Sequence, residues 1–196
     1  MNAIFQKITG MDWKQIFRLT RTLLVITVIA AFVLAAVNAI TAGPIARQEE
    51  TRRNAAMSCV MPEAEIFSLL YCDDPTIDRM TAAYIGTTFV GYCVEVTSNG
   101  FGGDISLMVG VNTLGAVTGV SILDHSETPG MGAKAESNEF LSQFINKSGT
   151  ISIGGGKNSV QAVTNATITS KAVTEGVNTA LAAAMNYDAE GGEFDV

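Results

Sequence analysis

The sequence predicts an α+β protein, in which a single N-terminal transmembrane helix precedes a domain with a mainly antiparallel sheet flanked by helices. Three observations support this prediction. Residues 22–42 are an uncharged apolar run, later runs read as strands between turn residues, and the C-terminal part carries a helical apolar stripe. The 196 residues are thereby divided into an N-terminal segment 1–21, the transmembrane helix, a stalk helix 43–62 and a domain 63–196.

The composition excludes several classes of protein. Apolar residues make up 47% of the chain and charged residues 16%, which is the opposite of a disordered chain. Only one run is long enough to span a bilayer, which excludes a polytopic membrane protein. Residues 43–196 hold eight Lys and Arg against eighteen Asp and Glu. This acidic body argues against a nucleic acid partner, which requires a basic footprint.

Residues 22–42 are predicted to be a retained membrane anchor. As a helix they would extend about 32 Å, which matches a hydrocarbon core of about 30 Å, and their threonines can bond their hydroxyls to the helix backbone. The alternative is a cleaved signal peptide, whose apolar region should be only about 7–15 residues long. Four basic residues precede the run and only Asp12 opposes them. The positive-inside tendency therefore predicts a single-pass cell-membrane protein with a cytoplasmic N-terminus and an extracytoplasmic domain.

Three cysteines follow the anchor, at Cys59, Cys72 and Cys93. They lack the spacing and the neighbouring histidines of a metal or iron–sulfur site. Two interpretations stay open for them. In an external domain Cys59 and Cys72 could form a disulfide, whose short loop would be stabilised by about 3 kcal/mol; alternatively, all three are buried free thiols.

The central part of the domain reads as a three-stranded antiparallel meander. The predicted strands are Phe89–Val96, Ile105–Val111 and Ala116–Leu123, separated by turn residues of the expected types. Before this meander, residues 63–85 are predicted to form a short helix and an acidic loop. After it we expect a helix over Ser137–Asn146, two short strands around residues 154–156, the second over Ser159–Val163, and a final helix capped by Thr169 or Ser170.

Two polar segments carry the candidate chemistry. The loop from Asp124 to Lys134 contains His125, the only histidine, and its proline and glycines give it a fixed path. Such loops often bind ligands. An equal alternative is that His125 is an ordinary loop residue with no part in binding. The segment 164–170, rich in hydroxyl groups, runs into the final helix. It is either a cluster of capping residues or an anion site at a positive helix end.

Together, and in this order, the two segments resemble motifs of a known family. Residues 125–132 match a His-x-Glu-Thr-Pro-Gly-(Leu/Met)-Gly loop, and residues 161–167 align with an Asp-x-x-(Ser/Thr)-Gly-Ala-Thr flavinylation motif. The chain resembles the RnfG proteins of Rnf electron transport complexes and their relatives, the NqrC proteins of sodium-pumping quinone reductases. Gln161 stands where the family has Asp, and Asn165 where it has Gly. Because asparagine tolerates a left-handed backbone, the turn at Asn165 is predicted to form.

The resemblance implies a covalent cofactor. In the family FMN is joined through its phosphate to the last threonine of the motif, here Thr167, by a flavin transferase, so that Thr167 is an acceptor and not a catalytic nucleophile. The remaining residues expected at the FMN site are His125, Glu127, Thr128, Gly130, Met131, Gly132, Lys134, Thr164, Asn165, Ala166, Thr169 and Ser170. No metal ligands and no catalytic side chains are expected, since the flavin performs the redox chemistry.

The function implied by the resemblance is electron transfer within a membrane-bound ferredoxin:NAD+ oxidoreductase that moves Na+ or H+. The partners would be the other Rnf subunits, which carry further flavins and iron–sulfur clusters, together with the transferase. One alternative is an NqrC-like role in a Na+-translocating NADH:quinone reductase. A second, from a different class, is a structural or assembly protein without flavin.

Overall fold

The computed structural model describes residues 13–72, 74–130, 132–156 and 158–189. The chain divides into two compact units, Met1–Glu50 and Thr51–Val196. The first helix, α1, covers Trp13–Val60 and contains Pro44. It therefore includes the predicted anchor and nearly all of the predicted stalk.

Within the first unit, α1 has the properties of a membrane anchor. Among the described residues it is the one helix long and apolar enough to cross a membrane. Its threonine hydroxyls donate to carbonyls of the preceding turn, as predicted, from Thr22 to Arg18, from Thr27 to Leu24 and from Thr41 to Val37, each at 2.9 Å. These bonds satisfy the hydroxyl groups without water, which a bilayer core requires.

The second unit is built on a five-stranded antiparallel sheet in which the strands follow one another in sequence order. The strands are β1 (Ile66–Leu70), β2 (Arg79–Ile85), β3 (Thr88–Asn99), β4 (Asp104–Asn112) and β5 (Val117–His125). The three predicted strands lie within β3, β4 and β5, apart from the first residue of the third. The prediction of a short helix within residues 63–85 was wrong, since β1 and β2 form there. The described residues of the predicted acidic loop around residues 73–75 lie between these two strands.

One face of the sheet is covered by the final helix, α3 (Thr167–Ala189). Its apolar stripe is buried against β3 and β4 from Ala172 to Ala184. Close contact requires Gly176, because a Cβ there would overlap the Cδ1 atom of Leu107. The helix therefore rests directly on the strands.

The opposite face is covered by the last turns of α1. Val60 is fully buried there, and the Thr118 hydroxyl donates to its carbonyl at 2.7 Å. A second link is the ion pair between the Arg53 Nε atom and the buried Glu95 carboxylate, at 2.9 Å. Removing one partner of such a pair leaves an uncompensated buried charge. The end of α1 is thus an integral part of the second unit.

The segment between β5 and α3 contains only short elements. A 3-10 helix (Gly132–Glu136) precedes α2 (Asn138–Leu141), which continues as a second 3-10 turn (Ser142–Phe144). The predicted helix over Ser137–Asn146 is therefore shorter and only partly α-helical. Two parallel strands follow, β6 (Ser152–Ile153) and β7 (Ser159–Val160). The second predicted strand ends earlier than expected, at Val160 in place of Val163.

All three cysteines are free. Cys59 is exposed, Cys72 is half-buried and Cys93 is buried. Of the two interpretations left open, the disulfide between Cys59 and Cys72 does not form in this structure, and the alternative of three buried thiols holds only for Cys93. Burial raises the pKa of the Cys93 thiol to about 12.

Candidate cofactor site

The two polar motifs meet at one cavity of about 330 Å³. This volume lies within the range of small-molecule pockets, about 300–1,000 Å³. Its walls come from the β3–β4 hairpin tip, the loop after β5 and the start of α3, and consist of Phe101, Glu127, Thr128, Gly132, Asn165, Ala166, Thr167, Ile168 and Thr169. The fold therefore brings the two sequence motifs together at one site.

The α3 end of the cavity is shaped by a left-handed residue. Asn165 has φ +64°, which confirms the prediction that asparagine would form this turn. Asn165 is one of two non-glycine residues with positive φ in the described parts of the chain. It turns the chain so that α3 begins at Thr167.

The prediction that Thr169 or Ser170 caps α3 was wrong, because both are buried within its first turn. The Ser170 hydroxyl instead accepts the Val163 N–H at 3.0 Å and donates to the Ala166 carbonyl at 2.9 Å. These hydrogen bonds of a buried hydroxyl stabilise the turn that precedes α3. Thr167 remains exposed as the first helical residue, at the positive end of the helix dipole, where a phosphate is stabilised.

Glu127 lines the cavity from the loop after β5. Its side chain is buried, and its Oε1 atom accepts the N–H groups of Phe101 at 2.7 Å and Gly102 at 3.2 Å. Gly132 lies against the same carboxylate, since a Cβ at Gly132 would overlap the Glu127 Oε2 atom. The carboxylate therefore connects the hairpin tip to the loop that follows β5.

Two residues of this cavity were not predicted from the sequence. Phe101 is 71% exposed and Ile168 is 54% exposed, although both are large and apolar. One sequence feature could have identified Phe101: it is an aromatic residue among glycines in a tight turn. Such a turn does not itself require an aromatic side chain. Together with Ala166, these side chains make much of the cavity wall apolar.

His125 borders a different cavity, of about 610 Å³, together with Arg52, Cys59, Asp124 and Glu136. Its Nδ1 atom accepts the Glu127 N–H at 3.2 Å, and its Nε2 atom lies 3.5 Å from the Glu136 carboxylate. His125 is thus linked to a residue of the Thr167 cavity through the backbone of Glu127.

Lys134 and Thr164 border a third cavity, of about 430 Å³. Gln161 also lies there, and its N–H donates to the Gln143 Oε1 atom at 2.8 Å. The structure therefore separates Lys134 and Thr164 from the Thr167 cavity.

Two of the remaining expected site residues, Gly130 and Ser170, border none of these three cavities. Gly130 is exposed with φ +83°, Ser170 is buried, and Met131 lies outside the described residues.

The Thr167 cavity fits a planar ring that carries a phosphate. Its apolar walls suit the ring, while the start of α3 suits the anion. No group of three or more potential metal ligands occurs among the residues that the structure describes.

Comparison with known proteins agrees with this geometry. Residues 100–182 match the family model of the FMN-binding domain, and this match contains every described residue that lines the Thr167 cavity. Residues 100–182, which lie within the second unit, are therefore similar to FMN-binding domains.

Two relatives are similar over nearly their whole length. The chain is 35% identical to the G component of the Na(+)-translocating ferredoxin:NAD(+) oxidoreductase complex of Acetobacterium woodii, covering 89% of this chain and 94% of that protein. It is also 35% identical to the proton-translocating counterpart of Clostridium ljungdahlii, covering 87% and 92%. The chain belongs to the RnfG family, the G components of ion-translocating oxidoreductase complexes.

A solved structure is also similar, that of the NqrC component of the Na(+)-translocating NADH-quinone reductase from Parabacteroides distasonis. The identity is 18% and the TM-score 0.49, over 64% of this chain and 76% of that one.

Proposed function

We propose that the protein transfers electrons through FMN that is covalently joined by its phosphate to Thr167. The observation that carries this proposal is the position of Thr167, which is exposed at the first turn of α3 and borders the cavity formed by both motifs. FMN would supply one- and two-electron redox chemistry, while the protein binds the ring, shapes the cavity and limits contact with water. Thr167 would be the acceptor of the flavin and would take no part in electron transfer.

The residues around Thr167 would have separate tasks. Asn165 gives the backbone the turn that exposes the threonine, and the N-terminal N–H groups of α3 would stabilise the phosphate charge. Thr128 and Gly132 would bound the ring within the same cavity, and Glu127 would shape that cavity. A covalent link prevents loss of the cofactor by dissociation, which suits a domain exposed outside the cell.

The complex proposed for this protein oxidises ferredoxin, reduces NAD+ and moves Na+ or H+ across the membrane. The support is the activity of the complexes that contain the two relatives matching nearly the whole chain. The other Rnf subunits would carry the NAD+ and iron–sulfur sites, and a flavin transferase would attach the FMN. The basic residues before the anchor favour a cytoplasmic N-terminus and an extracytoplasmic flavin domain.

Fluorescence of the denatured protein tests this proposal. The full chain is co-produced with a flavin transferase, separated on a denaturing gel and illuminated with ultraviolet light. The wild type and Thr164→Ala should give a fluorescent band, whereas Thr167→Ala should give none while remaining folded and inserted. A dark wild-type band with active transferase, or a bright Thr167→Ala band, would overturn the proposal.

A structural or assembly role without flavin is the second candidate, and the observation that favours it is Gln161. This residue replaces the acidic residue of the family motif, and its side chain is exposed beside the cavity of Lys134 and Thr164. The two candidates differ in the gel experiment, since an assembly protein gives no fluorescent band from native membranes. Identification of the co-purifying subunits separates the Rnf role from an NqrC-like role.

A further inference from the structure

Phe101 is placed unusually for a large aromatic side chain. It lies at the tip of the hairpin between β3 and β4, 71% exposed, and borders the Thr167 cavity. Ile168, the residue after Thr167, borders the same cavity and is 54% exposed. Single exposed apolar residues are common on protein surfaces, but here two elements distant in sequence direct such residues to one cavity.

The hairpin tip that carries Phe101 is held tightly to the loop after β5. Both the Phe101 and Gly102 N–H groups donate to the Glu127 Oε1 atom. The adjoining glycines allow close contact, since a Cβ at Gly100 would overlap that oxygen and one at Gly102 would overlap the Ser126 carbonyl oxygen. The position of Phe101 is therefore determined by a buried carboxylate.

We propose that Phe101 packs against the flavin ring and that Glu127 is a positioning residue, which acts by holding Phe101. This inference rests on the proposed function, because it requires a flavin at Thr167. Aromatic rings attract one another in offset or edge-to-face contact at about 4.5–7 Å between centroids. The Glu127 Oε1 atom is already used by two backbone donors, so its main contribution is the geometry of the hairpin.

A tryptophan at position 101 tests the contact. Indole quenches flavin fluorescence at contact distance, because it donates an electron to the excited ring. The native full-length flavoprotein carrying Phe101→Trp should therefore lose most of the flavin fluorescence of the wild type, because stacked rings lie in contact. The matched control is Leu114→Trp, at the tip of the next hairpin, where the wild-type side chain is 86% exposed and borders none of the three cavities. Its fluorescence should equal that of the wild type.

The role of Glu127 is tested in the Phe101→Trp protein. Glu127→Gln keeps an oxygen that can accept the two N–H groups, so the quenching should persist. Glu127→Ala removes this acceptor, and at least part of the fluorescence should return in protein that stays folded by circular dichroism. Equal quenching in folded Glu127→Ala would overturn the positioning role. If Glu127→Ala fails to fold, the Glu127→Gln protein provides the test. Loss of fluorescence quenching in that protein overturns the positioning role of Glu127, and retained quenching supports it.

The outcomes separate this inference from the proposed function. A fluorescent denatured band in every variant, with Phe101→Trp as bright as the wild type in the native state, would overturn only the contact of Phe101 with the ring. The absence of any fluorescent band, including that of the wild type, would overturn the covalent FMN itself. Strong quenching in both Phe101→Trp and Leu114→Trp would also contradict the contact, because quenching would then not depend on position.

Discussion

The Thr167 cavity and the His125 cavity differ although one short motif contributes to both. His125 and Glu127 are two residues apart, yet His125 lies beside Arg52, Asp124 and Glu136, whereas Glu127 lies in a largely apolar cavity with Thr167. The division arises because β5 ends at His125 and the chain then turns. We infer that the motif has two tasks, with Glu127 shaping the cofactor cavity and His125 supporting the loop from the other side.

The largest effect is expected at Gly132. The added Cβ of Gly132→Ala would overlap the Glu127 carboxylate, so the loop must shift and should cost about 1–3 kcal/mol of folding free energy. Because the shift occurs in the wall of the cavity, flavin attachment should slow by about tenfold, equivalent to about 1.4 kcal/mol. Band fluorescence over time and thermal unfolding measure the two quantities.

Gly155→Ala is the matched control, since a Cβ there meets no atom within 4 Å. Its attachment rate and unfolding temperature should match those of the wild type. A wild-type attachment rate in Gly132→Ala would show that the Glu127 side of the cavity does not determine flavin binding.

A smaller effect is expected at Asn165. Asn165→Val places a branched side chain at φ +64°, which should destabilise the domain by about 1–2 kcal/mol and slow attachment at Thr167. Asn165→Gly should attach flavin at least as fast as the wild type, because glycine adopts this backbone freely. Equal rates for valine and glycine would contradict the role assigned to the turn.

His125→Ala should have a limited effect, since it removes the acceptor of the Glu127 N–H. The expected loss of stability is about 1 kcal/mol, measured by urea unfolding, with an attachment rate close to that of the wild type. If His125→Ala slowed flavin attachment as much as Gly132→Ala, the separate tasks assigned to the two cavities would be contradicted.

The smallest effect is expected from modification of Cys59, which is exposed at the His125 cavity. A maleimide adduct on Cys59 should leave flavin attachment unchanged, with Cys59→Ser as the control that reports labelling of the half-buried Cys72 alone. Cys93 should react only after unfolding, because burial raises its pKa to about 12. Since this folded pKa exceeds the ordinary value of 9.0, the domain should lose stability as the pH rises from 9.0 towards 12.

The sequence predicted the central meander because alternation and turn residues agree along residues 89–123. It did not predict β1 and β2, since Ile66 and Leu69 are exposed and Ala82-Ala83 has low strand propensity. β2 depends on pairing with β3, and β1 depends on pairing with β2; no local pattern encodes either pairing.

The site was predictable where the motifs were contiguous, as at Glu127 and Thr167, which border one cavity. Phe101 was missed because it comes from a hairpin tip between two other strands. The separation of His125 from Thr167 depends on where β5 ends, and the start of α3 depends on buried hydrogen bonds of Ser170. These are tertiary features, so residue type and spacing alone did not reveal them.

The most direct test of covalent FMN at Thr167 is mass spectrometry of the protein from its native membranes. Cleavage after Lys157 and Lys171 releases one peptide, residues 158–171, which contains Thr164, Thr167 and Thr169. We predict that this peptide carries the mass of FMN less one water, and that fragmentation assigns the added mass to Thr167. An unmodified peptide, or FMN on either of the other two threonines, would contradict this assignment.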